Sequence, residues 1–290
     1  MNKNGNMTFK QSDDFLKILI TERHQQLVNL QKSQSDQLMN VETRGQDKIL
    51  VLKKTMPKEI VDVFDSLDKM DKDTEKFSTS HIECDGNTTD IDNTQLLDCR
   101  AIPSTLYYIY AFGTGGTSFN SYDSNITRML CTAAANGRGS GIGGNGSAKA
   151  NLYLDWYFRF VPPETRMYSF NINVPLHGFY RVFSDDGMFS SKKAEVSINM
   201  SARARQYNTK DIGTSSTNVL YISNDNINVE TRFDRSPNMN CAAILGGGDE
   251  AFLVVTVALD VYARGGSSTG RLNFSEGTAN YLGKPEVYIF

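Results

Sequence analysis

The sequence predicts an α+β arrangement: an N-terminal helical arm or stalk followed by a mainly antiparallel, jelly-roll-like β-sandwich. Three observations carry this. Residues 1–100 contain no Tyr and no Trp, whereas all 13 Tyr and the single Trp156 lie at or beyond Tyr107. The front of the chain spaces its apolar residues three and four apart, as a helix does, and the back alternates aromatic and β-branched residues with polar ones, as strands do. Glycine divides the same way, with only Gly5, Gly45 and Gly86 before residue 101.

Taken in order, Ser12-Asp13-Asp14 reads as a helix start, a capping hydroxyl followed by carboxylates at the positive end of the helix dipole. Leu16, Leu19, Ile20, Leu27, Leu30, Leu38 and Val41 continue a helical but interrupted stripe, since Arg23, Gln34 and Gln37 stand where a strict heptad wants apolar residues. The stripe improves at Ile49, Leu52, Met56, Ile60, Val63 and Leu67. Pro57 fits an early position of a second helix better than an interior one. Helices are therefore expected over about 12–54 and 57–73. So narrow a stripe needs a partner surface, which is either copies of itself or its own sandwich. The seam favours an oligomeric stalk slightly, with Ile49, Leu52, Met56, Ile60, Val63 and Leu67 as its contacts.

Residues 78–99 are polar and acidic. The division expected is an arm or oligomerisation stalk over 1–77, an acidic polar linker over 78–104 and the β-sandwich over 105–290. The first strand is expected at 105–112, followed by Gly-rich loops at 113–117 and 136–147 with a short helix between them at 124–135. In 152–160, Leu152, Leu154, Trp156, Phe158 and Phe160 alternate with Tyr153, Asp155, Tyr157 and Arg159, and Pro162-Pro163 ends the strand. Residues 194–205 alternate without error, placing Ala194, Val196, Ile198, Met200, Ala202 and Ala204 inward. Segments 219–222 and 227–233 read as a hairpin about Asn224-Asp225-Asn226, and 252–263 as a long strand. Strands at 166–174, 178–183, 271–274 and 286–290 complete an antiparallel set without alternating helices.

Composition excludes several classes. A net charge of −3 removes the basic footprint of a nucleic-acid binder. No run approaches 18 apolar residues, so no single-helix membrane span is expected, and the polar first residues do not read as a signal peptide. Gly141-Ile142-Gly143-Gly144-Asn145-Gly146 fits the dinucleotide fingerprint in spacing only, because the flanking strand and helix are missing. His24, His81 and His177 lack metal-ligand spacing partners, and the acids between Glu83 and Asp98 miss the Gly and Glu of a calcium loop. No cofactor or metal is called for. Cys84 and Cys99 bracket the acidic segment, whereas Cys131 and Cys241 open small-residue runs typical of buried thiols.

The remaining constellation is Tyr153, Asp155, Tyr157 and Arg159, the outward face of the Trp156 strand. Aromatic faces flanked by hydrogen-bonding groups suit a subunit interface or a sugar ring. The architecture is like that of trimeric fibre and spike proteins of phages and viruses, in which a helical stalk carries a β-sandwich. That likeness implies a non-enzymatic structural or attachment protein of a virion. It would be a homo-oligomer, with a trimer expected, whose partners are a glycan or other virion proteins. A pore-forming toxin subunit and a carbohydrate-binding or carbohydrate-active sandwich are the alternatives.

Overall fold

The structure is a computed structural model and describes residues 9–58, 62, 102, 104–121, 127–138, 146–185, 192–207, 212–276 and 279–290. Among these residues one helix, α1 (Phe9–Thr55), precedes fourteen strands. These are β1 (Thr105–Thr114), β2 (Gly116–Ser121), β3 (Arg128–Asn136), β4 (Ser147–Phe160), β5 (Arg166–Asn173), β6 (Leu176–Ser184) and β7 (Lys193–Gln206). They continue with β8 (Gly213–Asn224), β9 (Ile227–Arg235), β10 (Asn238–Leu245), β11 (Ala251–Arg264), β12 (Ser268–Phe274), β13 (Tyr281–Gly283) and β14 (Glu286–Ile289). The helical arm and antiparallel sandwich expected from the sequence are both present.

The first sheet has the order β1-β4-β11-β7-β8, every pair antiparallel. Facing it, β2 and β3 join β6 and β9 through a shared lane in which β12 and then β13 pair with both β3 and β6. A smaller sheet, β10-β5-β14, closes one end. The core lies between these layers. Leu152, Leu154, Trp156, Phe158 and Phe160 of β4, the even residues Ala194–Ala204 of β7, and Leu253, Val255, Val257, Leu259 and Val261 of β11 supply one side. Cys131, Ala133, Leu176, Val182, Leu272 and Phe274 supply the other, with Tyr168, Phe170 and Ile172 from the small sheet. Cys131 and Cys241 are buried free thiols, as their small-residue surroundings imply.

The arm answers the question its narrow stripe poses. Phe15, Leu16, Leu19 and Leu27 are buried on the first sheet's outer face, where Phe15, Leu16 and Leu19 pack against Tyr157, Phe252 and Val254. The Phe15 ring meets Tyr207 and Phe252 edge-on at 5.4 and 5.6 Å. Each such buried side chain contributes roughly 1.5–3 kcal/mol. This contact also explains β11: a strand covered on both faces reads as a continuous apolar run rather than an alternating one, which is what 251–259 shows. The near half of the arm thus packs back on its own sandwich, the alternative that the sequence ranks just below a free stalk.

Four other expectations change. The helix begins at Phe9, so Asp13 and Asp14 lie inside it rather than at its cap; Asp13 accepts from the Tyr107 hydroxyl and Asp14 lies 3.6 Å from Lys17. Of the helix expected at 124–135, residues 128–135 are strand β3, because Met129, Cys131, Ala133 and Ala135 alternate into the core and that burial overrides the helical preference of alanine; 124–126 lie outside the described residues. The loop expected at 113–117 is a tight turn into β2, with Gly115 at φ 70° and Lys149 O only 2.3 Å from where a Cβ would stand. Finally, β8 and β9 are not a hairpin: β8 pairs with β7 and β9 with β6, so Asn224-Asp225-Asn226 carries the chain between sheets. The Asn224 side chain builds that turn by accepting from the Asp225 amide at 2.8 Å. Strand β10 was not legible at all. The C-terminal strand is tied in as expected, β14 pairing with β5 and Phe290 exchanging backbone bonds with Ser169. Cys84, Cys99, the acidic segment and the glycines 141–145 lie outside the described residues.

Candidate functional site

Sheet alternation places Tyr153, Asp155, Tyr157 and Arg159 on the outer face of the first sheet, and the arm divides them. Asp155 sits at the sheet centre, beside Thr256 on β11 and Tyr110 on β1, and is fully buried. Arg23 of the arm reaches down to it. Its Nε donates to Oδ2 at 2.7 Å and its Nη2 to Oδ1 at 3.3 Å, while Thr256 Oγ1 donates to Oδ1 at 2.6 Å. A carboxylate so deep in a sheet needs these donors, since burial without partners costs several kcal/mol. Tyr157 is also fully buried, beneath Phe15, Leu16 and Leu19, and burial pushes its phenol far up. Arg159 pairs with the buried Glu250 and lies over the Tyr107 ring, 5.3 Å from its centre. Asp155 and Tyr157 therefore face the arm rather than an external ligand.

Polar contacts line both flanks of the arm. Glu22 pairs with Arg205, His24 Nδ1 shares a hydrogen bond with the Tyr110 hydroxyl at 2.7 Å, and Asp13 accepts from Tyr107. Between them a gap of only about 20 Å³ remains, lined by Leu19, Glu22, Arg23, Gln26, Arg203, Arg205 and Val254. No ligand larger than water fits there.

Beyond Leu27 the sheet opens into a cleft, and Tyr153, with the Arg23 guanidinium 5.6 Å from its ring centre, stands at its edge. A cleft of about 290 Å³ lies here, floored by β4, β11 and β7 and bounded by Gln34 of the arm. Strand register orders its lining into rows. Lys149, Tyr262 and Glu195 are neighbours across the three strands; Asn151, Asp260 and Ser197 form the next row; Tyr153, Ala258 and Asn199 the third. Tyr153 is half-buried and its phenol is pushed up to about 12, chiefly by burial, with a hydrogen bond from Gln34 acting the other way. Burial likewise raises the Asp260 carboxyl, opposed by hydrogen bonds from Asn151 and Asn199 and by the charge of Lys149. Lys193 Nζ lies 2.9 Å from Glu195 Oε2, which also accepts from Ser223 at 3.2 Å.

Of this set, the sequence singles out only Tyr153 as a ligand contact. Glu195, Ser197 and Asn199 are legible as the outward face of β7, but nothing in the sequence sets them beside Lys149, Asp260 and Tyr262. Of the proposed oligomer contacts, Met56 is half-buried. Ile49 and Leu52 lie within α1, but their side chains, and residues Ile60, Val63 and Leu67, are outside the described set. Among the described residues no group of three His, Cys, Asp or Glu could hold a metal, and no helix is long and apolar enough to cross a membrane. His177 pairs with Asp234 on the opposite sheet and its ring lies 4.7 Å from that of Tyr281.

No protein-family model matches the chain, and no curated protein does. Several solved structures are similar over part of it. The module TmCBM61, in complex with β-1,4-galactotriose, is 6% identical over 62% of this chain and 87% of its own, with a TM-score of 0.20. The enzymatically active domain of tailspike protein 4 from bacteriophage CBA120 is 6% identical over 63% of this chain and 19% of its own, with a TM-score of 0.24. A family 11 carbohydrate-binding module from Clostridium thermocellum, in complex with a β-1,3-1,4-mixed-linked tetrasaccharide, is 10% identical over 55% and 96%, with a TM-score of 0.14. At TM-scores this low the likenesses carry no argument about ligand or activity.

Proposed function

We propose that this chain is a non-enzymatic attachment protein whose β-sandwich binds a carbohydrate in the cleft between Gln34 and the outer face of the first sheet. One observation carries the reading: two tyrosines, Tyr153 and Tyr262, stand among amide, hydroxyl, carboxylate and ammonium groups in an open cleft of about 290 Å³. Sugar rings offer apolar C–H faces to aromatic side chains and hydroxyls to polar neighbours, and this lining supplies both. The cleft is floored by three paired strands, so its side chains are held on a rigid frame. Binding of the folded protein to an immobilised oligosaccharide array tests this. Wild-type protein retained on a subset of sugars, with retention lost in Tyr262→Ala at unchanged melting temperature, supports the reading. Equal retention of both proteins would place binding elsewhere.

The far half of the arm supports an assembled state. Met39 and Val51, on that half, are exposed at 64% and 63%. In this reading residues from Ile49 onward join copies of the chain, a trimer being the expected number, while the near half anchors each sandwich. Multiple copies would raise the apparent affinity of a weak sugar site without new contacts. Molar mass by light scattering tests it, and a monomer at micromolar concentration would remove it.

A further inference from the structure

Resting on the carbohydrate reading above, we propose that the cleft takes an acidic sugar, a ring bearing a carboxylate, and that Lys149 pairs with that carboxylate. Within the cleft, one ammonium group is left without a direct partner among the described residues. Each of the cleft's carboxylates is partly engaged from within. Asp260 accepts from Asn151 and Asn199, and Glu195 Oε2 takes Lys193 Nζ and Ser223 Oγ. Lys193 is thereby committed to Glu195.

Lys149 is not. It is half-buried, stands beside Tyr262 in its row, and makes no direct hydrogen bond or ion pair among the described residues. Its charge is felt at Asp260 without a direct contact. An ammonium group has three donors and no acceptor, and a partly desolvated one gains most from an anionic oxygen. Two hydroxyls of the lining can donate as well. Tyr153 accepts from Gln34, which leaves its own O–H to give. Ser197 Oγ accepts from Asn199 at 3.4 Å, which leaves its hydroxyl proton to give. A neutral sugar hydroxyl can accept from the same donors, but a sugar carboxylate brings the charge opposite to that of Lys149 and makes the stronger, charge-assisted bond. A sugar carboxylate is acceptor-only and meets a lysine and two hydroxyls. Lys149, Lys193, Glu195 and Asp260 sum to zero charge, so the cleft does not repel an anion.

Calorimetric titration of the full chain tests this, with digalacturonate and 3′-sialyllactose as acidic probes, lactose and cellobiose as neutral ones, and acetate as a bare carboxylate. At least one acidic sugar should bind tenfold or more tighter than either neutral sugar and than acetate. Lys149→Met should abolish that preference and Lys149→Arg should keep most of it, both at wild-type melting temperature. Neutral sugars binding as tightly as acidic ones, or a preference that survives Lys149→Met, would overturn the acidic class and leave the carbohydrate site standing. Acetate binding as tightly as the sugars would overturn the part assigned to the ring. Binding by none of the sugars, together with array retention unaffected by Tyr262→Ala, would overturn both readings.

Discussion

Replacing Arg23 with Met isolates the contact that fixes the arm to the sandwich. Asp155 is fully buried at the centre of a five-stranded sheet, and the Arg23 side chain is 14% exposed. In Arg23→Met the carboxylate keeps only Thr256 as a donor among the side chains described around it. Removing one member of a buried ion pair costs about 3–5 kcal/mol, because the remaining charge is stranded. The chain has two ways to meet that cost. The arm stays docked and the protein loses the full amount in urea denaturation. Alternatively the arm lifts, water reaches Asp155, and the apolar contacts of Phe15, Leu16 and Leu19 are forfeited instead, at roughly 1.5–3 kcal/mol each. Denaturation followed by fluorescence, with limited proteolysis of the arm in parallel, separates the two. Adding Asp155→Leu to Arg23→Met should recover most of the loss, since an apolar pair in place of a buried ion pair is often neutral. A loss under about 1 kcal/mol in Arg23→Met, with the arm still resistant to protease, would refute this account of the pair.

Three further outcomes are expected. Ala202→Asp should lower stability by several kcal/mol by burying an unpartnered carboxylate, and Arg203→Ser by much less, because Ala202 is 2% exposed on the core side and Arg203 points into the polar seam under the arm; equal shifts in melting temperature would contradict the register. Asp260→Asn should raise the melting temperature at pH 7 and change it little at pH 3.5. The folded-state pKa of Asp260 is raised above 3.8, so its favourable contribution is complete below that value and is lost as pH rises through the folded pKa. Leu52→Lys with Val63→Lys should lower the mass found by light scattering while circular dichroism of the strands is retained, since like charges would enter the proposed seam.

Much of the fold was legible because its cues are local. The alternation of 194–205 and of 152–160 marked the residues that face the core, since a period of two leaves only one face for it, but not the arm that buries Asp155 and Tyr157 on the other face. The errors arise where local cues and tertiary partners disagree. The small residues of β3 look helical until the opposing sheet is present, and a two-sided polar turn at Asn224 does not say which strands it joins. The candidate site was the least legible part. Tyr153 and Asp155 are two residues apart and look equivalent, yet Arg23 seals Asp155 in an ion pair and leaves Tyr153 half-buried at the edge of a cleft. Lys149, Glu195 and Tyr262 come from three strands, and only the pairing register makes them a row.

Hydrogen–deuterium exchange on the full chain, with and without saturating acidic oligosaccharide, tests whether arm and sheet together build the ligand cleft. Exchange should slow in two separate stretches, α1 around Gln34 and the cleft rows of β4, β7 and β11 around Lys149, Glu195 and Tyr262. Protection confined to the small sheet of β5, β10 and β14, or protection of the strands with none in the arm, would contradict it.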